Sequence, residues 1–509
     1  HGEAPRRAVQ VTSGARGCGR MNGLADFIAQ EEMDRYRGFW WSPCGTRIAF
    51  EQVDEAHIPR YHIMHQGKDD VVSEQHHYPF AGEANPHVRL AVVELGEALL
   101  LAVAAAAEEA SGAAGAAGAA GAGAAPAASP MALPTTWMDL TGGGELPAQD
   151  LYLARVHWNA GPTPSSPPIL LAQVENRTQT QLDVLTFDLG SGAARRLLRE
   201  SSPCWVNLHH LFSGWATCKE GGGEDVVGEG RPPMSFLWGS ERDSYMHLYR
   251  YDWDPAGEGA AALGCKLTEG TVTAEAVVAV RPARGIVLFM GTDTETMTLD
   301  KHLWAASLRA AGTQSCLTAH IPGVHHSVVV DSTLTRACDS FSTAGDPPAM
   351  FLADLPAADT LCHKGLVALI ASSSPAAVQL AHTKELFRAV LEERFAPFIR
   401  APTLGHFEVP SGHRLHYALF TPDSEKFGKG PYPLVVEVYG GPHVMRVQNS
   451  WRVLTAGSVR AQHLRSKGFL VCKCDNRGSA RRGTEFEFQI NRCMGTVECD
   501  DQCAVVAHL

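Results

Sequence analysis

The stretch "ILLAQVENRTQTQLDVLTFDLGSGAARRLL", residues 169–198, shows the pattern that decides the fold. Short runs of apolar or alternating residues are separated by polar turns, one of which is Leu-Gly-Ser-Gly at 189–192. Alternation with a period of two over such short runs is typical of antiparallel strands rather than helices. The stretch therefore predicts consecutive antiparallel strands joined by tight turns.

Similar units recur through residues 35–355. Several of them close with an outer hairpin of the same kind, at roughly the spacing of propeller blades. This imperfect repeat predicts a β-propeller, and a β-sandwich is the alternative. The further units are "RIAFEQV" (47–53), "LYLARVHW" (151–158), "FLWGSERDSYMHLYRYDWD" (236–254), "GIVLFMGTDTETMTLDKHLWAASL" (285–308) and "PAMFLADL" (348–355).

The pattern changes near residue 375. "SPAAVQLAHTKELFRAVLEERF" (374–395) carries apolar residues at helical spacing and predicts a helix. The apolar runs "PLVVEVYG" (433–440) and "GFLVCKCDNRG" (468–478) then predict two buried strands, and the segment between them has the length of a crossover helix. Strand, helix and strand in this order predict a parallel sheet. We therefore expect a propeller domain over 1–375 and the N-terminal part of an α/β domain over 376–509.

Two segments lack anchoring apolar residues. The Ala/Gly-rich stretch at about 96–134 predicts a disordered insertion, and residues 219–233 predict a mobile loop.

Composition excludes some classes of function. The chain has 509 residues and a formal charge of -12, which disfavours a nucleic-acid-binding surface. The longest apolar run, at 98–107, has about half the length needed to span a bilayer, so no membrane segment is predicted. The thirteen cysteines form no repeated CxxC frame, which favours reduced thiols and a cytoplasmic location.

The search for catalytic motifs is mostly negative. No glycine is followed two positions later by serine, so these residues contain no G-x-S-x-G nucleophile elbow, and Ser479 is not a nucleophile candidate. The clustered cysteines and paired histidines fit no zinc frame, so we predict buried thiols, no metal and no cofactor. These residues are Cys472, Cys474, Cys493, Cys499 and Cys503, with His76-His77, His209-His210 and His325-His326.

Other polar residues have a structural interpretation when taken alone. Glu31 and Glu32 fit the solvated face of a helix with Leu24, Phe27 and Ile28 on its opposite side. Tyr439 fits an aromatic residue that ends a buried strand. The basic loop containing Arg477, Arg481 and Arg482 resembles a phosphate-binding loop, but it more simply orders the chain after the second strand.

Eight motifs, in consistent order, closely resemble the dipeptidyl peptidase IV subfamily of the prolyl oligopeptidases, in particular its plant-like, cytosolic-type members. They extend over nearly the whole chain apart from the low-complexity insertions. The motifs are "NGLADFIAQEEMDRYRGFWWSPCGTRIAFEQVDE", "HIMHQGK", "HHYPFAGEANPHVRL", "YLARVHW", "WVNLHHLF", "EVYGGPHV", "CDNRGSARRG" and "MGTVECDDQ".

The resemblance implies an eight-bladed propeller capped by an α/β-hydrolase domain, with the chain truncated at both ends. It implies that Glu31 and Glu32 bind the ammonium group of a peptide's free N-terminus, and that Tyr439 contributes to the oxyanion hole. The family's catalytic serine, aspartate and histidine would follow the end of this chain. The resemblance also implies a homodimer for the full-length form.

The sequence thus predicts a serine-type dipeptidyl peptidase that releases Xaa-Pro or Xaa-Ala dipeptides. We expect residues 1–509 to be an incomplete chain of this enzyme, which lacks the nucleophile and is inactive alone. A catalytically inactive propeller that binds peptides or proteins is the alternative. An acylaminoacyl peptidase or oligopeptidase is a third hypothesis, but the paired glutamates argue against it.

Overall fold

The computed structural model describes residues 10–15, 17–67, 73–96, 133–216, 233–372, 379–395 and 397–509. The predicted insertion at 96–134 and the predicted loop at 219–233 lie almost wholly outside the described residues. The chain divides into two compact units, which are described separately. The first is His1–Leu208, Val227–Met234 and Trp253–Ala261, and the second is His209–Val226, Ser235–Asp252 and Ala262–Leu509.

The first unit begins with an antiparallel sheet, a short helix and a separate hairpin. Their bounds are β1 (Arg20–Asn22), α1 (Phe27–Glu32), β2 (Phe39–Trp41), β3 (Arg47–Asp54), β4 (Arg60–Met64), β5 (Ser73–His77), β6 (His87–Glu94) and β7 (Thr135–Met138). The sheet has the order β1-β3-β6-β7, with β2 also paired to β3, while β4 and β5 pair with each other.

The second sheet of this unit contains the stretch at 169–198. Its strands are β8 (Leu151–Asn159), β9 (Ile169–Asn176), β10 (Gln181–Phe187) and β11 (Ala194–Ser201). They lie in the order β11-β10-β9-β8. The predicted antiparallel strands are therefore confirmed. One hydrophobic core cluster joins the two sheets and includes Leu90 and Val92 from the first with Leu153 and Leu170 from the second.

The second unit contains further four-stranded sheets, each formed by consecutive strands. Four-stranded sheets of consecutive strands are the repeating unit of a β-propeller and favour it over a β-sandwich. The number of blades stays a prediction. The strands are β12 (Ser213–Ala216), β13 (Met234–Asp243), β14 (Tyr245–Trp253), β15 (Ala262–Lys266), β16 (Val272–Arg281), β17 (Ile286–Asp293), β18 (His302–Ser307), β19 (Gln314–Cys316), β20 (His325–Val330), β21 (Arg336–Ser342), β22 (Ala349–Asp354) and β23 (Ala381–Arg388).

The helix predicted over 374–395 is wrong. Residues Ala381–Arg388 form β23, which pairs with β22 from Asp354↔Ala381 to Ala349↔Arg388. The backbone groups along the free edge of β22 need hydrogen-bond partners, and supplying them outweighs the apolar residues that occur here at helical spacing. The helix of this region, α2, comes earlier, at His363–Ser372. The division of domains near residue 375 stays a prediction.

The C-terminal part of the second unit is an α/β segment. Its elements are β24 (Thr403–Glu408), β25 (Arg414–Phe420), α3 (Ser424–Phe427), β26 (Leu434–Val436), α4 (Val459–Ser466), β27 (Leu470–Asp475), α5 (Thr484–Glu487) and α6 (Val497–His508). Short turns of 3-10 or π helix lie at Pro282–Arg284, Trp451–Thr455, Ala456–Ser458 and Phe488–Ile490. The sheet order is β24-β25-β27-β26.

The predicted parallel pair is confirmed. β26 and β27 run parallel, with Leu434 opposite Leu470, and helical turns followed by α4 connect them. Phe420, Leu454 and Val471 are fully buried in the core cluster of this segment. Within the described residues, no helix is both long and apolar enough to cross a membrane.

A cluster of charged residues joins the sheets of the second unit to its α/β segment. Glu275 of β16 accepts a hydrogen bond from Thr292 at 2.9 Å and forms ion pairs with Lys301 at 2.8 Å and Arg481 at 2.6 Å. Arg481 lies in the loop after β27, where it adopts a positive φ of 67°. This one carboxylate therefore binds cations from two parts of the unit.

Candidate functional site

Glu31 and Glu32 are the last two residues of helix α1. The helix begins after Asp26, whose Oδ1 accepts the N–H of Ala29 at 3.1 Å. Both glutamates are exposed, and in the part of the chain that the structure describes neither carboxylate has a hydrogen bond or an ion pair. The negative end of the helix dipole lies at the same end of α1. The arrangement concentrates negative charge that a cation would relieve.

The helix packs through Ala29, together with the residues that flank the helix on either side. Ala25, Ala29 and Met33 are buried against Ala154 of β8, which brings the helix close to that strand. The sequence pattern predicts Leu24, Phe27 and Ile28 on the buried side. This is wrong for Leu24 and Phe27, which are 56% and 39% exposed, whereas Ile28 is partly buried against the cluster.

Arg35 lies just after the helix and is buried. It forms a bidentate ion pair with Glu51 of β3, at 2.5 and 2.9 Å. Its Nε donates to the carbonyl of Leu153 in β8 at 3.0 Å, and its Nη2 lies 3.6 Å from Asp26 Oδ2. Burial raises the pKa of Glu51 to about 7, although the hydrogen bonds and charge of Arg35 act to lower it. The sequence pattern does not reveal Arg35, because nothing in "EEMDRYRGFWW" marks this arginine as buried.

Tyr439 follows β26 in an irregular loop. Its side chain is 55% exposed, so it does not end the strand as a core aromatic. A Cβ on Gly441 would lie 3.1 Å from its ring, so the ring lies close over this glycine, and Gly440 has a positive φ of 83°. Among the described residues, the hydroxyl of Tyr439 has no hydrogen-bond partner. It is therefore available as a donor.

The loop that carries Tyr439 is fixed on both sides. Before the tyrosine, Glu437 donates its backbone N–H to Cys472 of β27 at 2.8 Å. After it, the backbone N–H groups of Arg446 and Val447 donate to the two carboxylate oxygens of Asp475 at 2.8 and 2.9 Å. Burial raises the pKa of Asp475 to about 6, against the lowering effect of these two N–H groups.

The basic loop has a structural role, as predicted. Arg477 makes side-chain bonds of 2.8 and 3.1 Å to Asp501 of α6, and its backbone N–H donates to the same carboxylate. The hydroxyl of Ser479 is buried and donates to the carbonyl of Asn476 at 2.8 Å. Both side chains therefore hold the chain after β27 in place.

The cysteines differ in how far they are exposed. All cysteines of the described residues are free thiols. Cys472 and Cys474 are buried, and burial raises the pKa of Cys472 to about 12. Cys493, Cys499 and Cys503 are exposed, so the prediction of buried thiols is wrong for these three.

His326, one member of the pair His325-His326, is buried and contacts an aspartate. Its Nδ1 lies 2.9 Å from Asp339, which His382 also contacts at 2.9 Å. No group of three or more His, Cys, Asp or Glu in the described ranges could hold a metal ion.

Four-stranded sheets of consecutive strands, followed by a segment with a parallel strand pair and crossover helix, define the class of propeller proteins with an α/β-hydrolase domain. Comparison with known families agrees with this class. The N-terminal region of dipeptidyl peptidase IV matches residues 2–348, and the prolyl oligopeptidase family matches residues 456–509. The chain therefore belongs to the dipeptidyl peptidase IV family.

Individual relatives support this assignment. The chain is 26% identical to dipeptidyl peptidase 8 of Mus musculus over 96% of its own length and 53% of the mouse protein. It is 20% identical to the venom dipeptidyl peptidase 4 of Vespa velutina, over 96% of this chain and 54% of that protein. The chain thus spans about half the length of these curated relatives.

A solved structure shows the same fold. It is a crystal structure from Bacteroides ovatus assigned as a dipeptidyl aminopeptidase IV, with a TM-score of 0.67 and 20% sequence identity. The match covers 98% of this chain and 59% of that one.

Proposed function

We propose that the protein is a serine-type dipeptidyl peptidase, which releases N-terminal dipeptides with proline or alanine in second place. The observation that carries the proposal is the pair of exposed carboxylates, Glu31 and Glu32, on a helix held by buried contacts. Family membership and the dipeptidyl peptidases among the relatives support it. We also propose a cytoplasmic location, which the free thiols support.

The two glutamates suit the charged N-terminus of a peptide. An ammonium group has three N–H donors and a positive charge, so it can bond to both carboxylates and reduce their mutual repulsion. A blocked N-terminus has neither property. With the ammonium held at this point, only a peptide bond at a fixed distance along the chain reaches the nucleophile, and the enzyme removes dipeptides.

In this mechanism Tyr439 stabilises the oxyanion. When a serine attacks the scissile carbonyl, negative charge develops on the carbonyl oxygen. The free hydroxyl of Tyr439 donates a hydrogen bond to that oxygen. Residues 1–509 contain no G-x-S-x-G, so we propose that the nucleophile lies outside them and that this chain does not hydrolyse peptides by itself.

The same missing motif favours a second candidate, a propeller that binds peptides without cleaving them. Both candidates require recognition of the N-terminus, and only the first requires hydrolysis. Hydrolysis of Gly-Pro-p-nitroanilide by chain 1–509 and by a chain extended along the coding sequence separates them. Activity in the extended chain supports the peptidase, whereas activity in neither supports the binding protein.

Recognition of the N-terminus is tested by calorimetric titration of chain 1–509 with the tripeptide Gly-Pro-Gly and with its N-acetylated form. We expect only the free amine to bind, and we expect Glu31→Gln with Glu32→Gln to weaken binding by about 100-fold, because the ammonium loses its counter-charges. Glu83→Gln, another exposed glutamate of the first unit, is the matched control. Equal binding of the two peptides would overturn the proposal.

A further inference from the structure

We propose that Arg35 is the positioning residue for the Glu31–Glu32 pair, holding helix α1 at one height and direction on strand β8. This inference rests on the proposed function, and it assigns a role to an arginine that touches neither glutamate in the described contacts.

Helix α1 needs such an anchor because it is short. It has six residues, and isolated helices of this length are not stable in water. Within the helix the buried residue is Ala29, whose small side chain permits close approach but does not fix rotation. A directional contact must therefore set where the two carboxylates lie.

Arg35 supplies directional contacts on every side. Besides the bidentate pair with Glu51 and the bond to Leu153, its Nη1 donates to the carbonyl of Arg37 at 3.1 Å, and its Nη2 approaches Asp26 at 3.6 Å. Asp26 also caps the start of the helix. The guanidinium thus links the beginning of α1, the chain after α1 and two strands of different sheets, β3 and β8.

Strand β8 is shaped to receive this contact. Its pairing with β9 shifts register between Leu153 and Arg155, so Ala154 is unpaired. Such a bulge re-aims the neighbouring backbone. Here Arg35 binds the Leu153 carbonyl, and Ala154 packs beneath the helix. The bulge in β8 therefore lies at the point where the helix packs on the strand.

The contacts of Arg35 also leave the charge of the glutamate pair intact. Its N–H groups face Glu51, Leu153, Arg37 and Asp26, so none remains to neutralise Glu31 or Glu32. The guanidinium already lies against the carboxyl groups of both Asp26 and Glu51. Arg35 therefore acts through position and does not compete with an incoming ammonium group.

Arg35→Met, Arg35→Lys and the control Arg47→Met test the inference in chain 1–509. Arg47 also forms an arginine–glutamate pair in the first unit, with Glu94, but on the sheet surface. The measurements are hydrogen exchange of residues 24–38 and the affinity for Gly-Pro-Gly relative to its N-acetylated form.

We expect Arg35→Met to speed exchange in 24–38 by more than about 10-fold, to leave strands β9 and β10 protected, and to lower affinity for the free amine by about 10-fold. Arg35→Lys keeps the charge but loses the bidentate guanidinium, so its exchange rate and affinity should lie between those of Arg35→Met and the unchanged protein. Arg47→Met should match the unchanged protein in both measurements. Unchanged exchange and affinity in Arg35→Met would overturn the inference.

Two further outcomes are decisive. If Arg35→Met unfolds the whole unit, Arg35→Lys takes its place, and exchange in 24–38 equal to that of the unchanged protein then overturns the inference. If the unchanged protein does not distinguish Gly-Pro-Gly from its acetylated form, the proposed function fails. Hydrogen exchange of residues 24–38 still decides whether Arg35 holds the helix.

Discussion

At the scale of single residues, the two proposed functional groups share one property. The carboxylates of Glu31 and Glu32 and the hydroxyl of Tyr439 are exposed, and within the described ranges none has a hydrogen-bond partner. Around them, polar groups such as Arg35 and Asp475 have several partners each. This contrast is typical of sites in which the surrounding residues fix the backbone and the functional groups await a ligand.

Tyr439→Phe should lower turnover without lowering stability. The hydroxyl makes no bond within the described part of the folded chain, so its removal costs no contact there. In the proposed mechanism it donates only to charge that develops in the transition state, so its loss should reduce kcat by about 100-fold with little change in KM. Steady-state kinetics of the extended, active chain on Gly-Pro-p-nitroanilide measure this, together with a thermal melt.

Tyr432→Phe is the matched control for that experiment, because the Tyr432 hydroxyl is already occupied by the carbonyl of Gly428. It should leave kcat unchanged. An effect of Tyr439→Phe on KM alone would contradict an oxyanion role for Tyr439.

At the scale of elements, the loop with Tyr439 depends on strand β27. Asp475 ends that strand and accepts two backbone N–H groups from the far side of the loop. A single carboxylate therefore fixes the loop from a residue that lies beyond the crossover helix. The loop therefore depends for its shape on contacts with the sheet.

Asp475→Ala should loosen this loop selectively. Hydrogen bonds to a charged acceptor contribute about 1.5–3 kcal/mol each. The variant leaves the buried N–H of Val447 and the partly buried N–H of Arg446 without this partner, so we expect a loss of about 3 kcal/mol at pH 7. Exchange of the Arg446 and Val447 amides should accelerate, while the Glu437 amide, bonded to Cys472, stays protected. Denaturant unfolding and hydrogen exchange measure the two effects.

Asp423→Ala is the control for the loop. Asp423 also accepts a backbone N–H, that of Glu425 at the start of α3, but it lies outside the loop. Its loss should lower stability less than the loss of Asp475 does and should leave the amides of residues 446 and 447 unaffected. Equal acceleration in both variants would show that Asp475 has no special role.

Elements also show how far the sequence can predict the structure. Strands with a clear alternation, such as those in 169–198, and the parallel pair of β26 and β27 are confirmed, because local burial determines their pattern. The sequence predicts a helix where strand β23 lies, since the pairing of β23 with β22 is not visible locally. Arg35 escapes sequence reasoning for the same reason, as its partner Leu153 lies 118 residues away in sequence.

The proposed functional residues are predicted by motif resemblance and not by physical pattern. Two adjacent glutamates on a helix look like a solvated face in any sequence. The observations that support the proposed site are their exposure, the buried contacts beneath them and the free hydroxyl of Tyr439, and these are properties of the folded chain.

At the scale of the whole molecule, one buried acid influences stability. Glu175 of β9 is fully buried, and within the described residues neither of its carboxylate oxygens has a hydrogen-bond partner. Burial raises its pKa to about 8, although the charge of Arg155 acts to lower it. The folded chain therefore holds a proton on Glu175 at pH values where the unfolded chain has released it.

The contribution of Glu175 to stability depends on pH. Between about 4.5, the ordinary value, and about 8, the folded state binds more protons at this site, so its stability falls as pH rises. Glu175→Gln does not titrate. We expect the free energy of unfolding of the variant, relative to that of the unchanged protein, to rise across this range by at most about 1.4 kcal/mol per pH unit. Above pH 8 the difference should not change further.

Urea unfolding of both proteins from pH 4 to pH 9 measures the difference, which isolates Glu175 from other titrating groups such as Glu51. Glu83→Gln, at an exposed glutamate, should give a difference that does not vary with pH. A Glu175→Gln variant that lost stability relative to the unchanged protein as pH rose would mean that the carboxylate is charged and paired in the folded state.

The carboxylate of Glu275 has a consequence for anyone who dissects this chain into pieces. It binds Lys301 from its own sheet and Arg481 from the α/β segment. Cutting the gene between these parts would remove one of two cations from a largely buried carboxylate, and would leave Thr292 and Lys301 to hold it. Domain dissection here alters the charge balance of the remaining piece as well as its length.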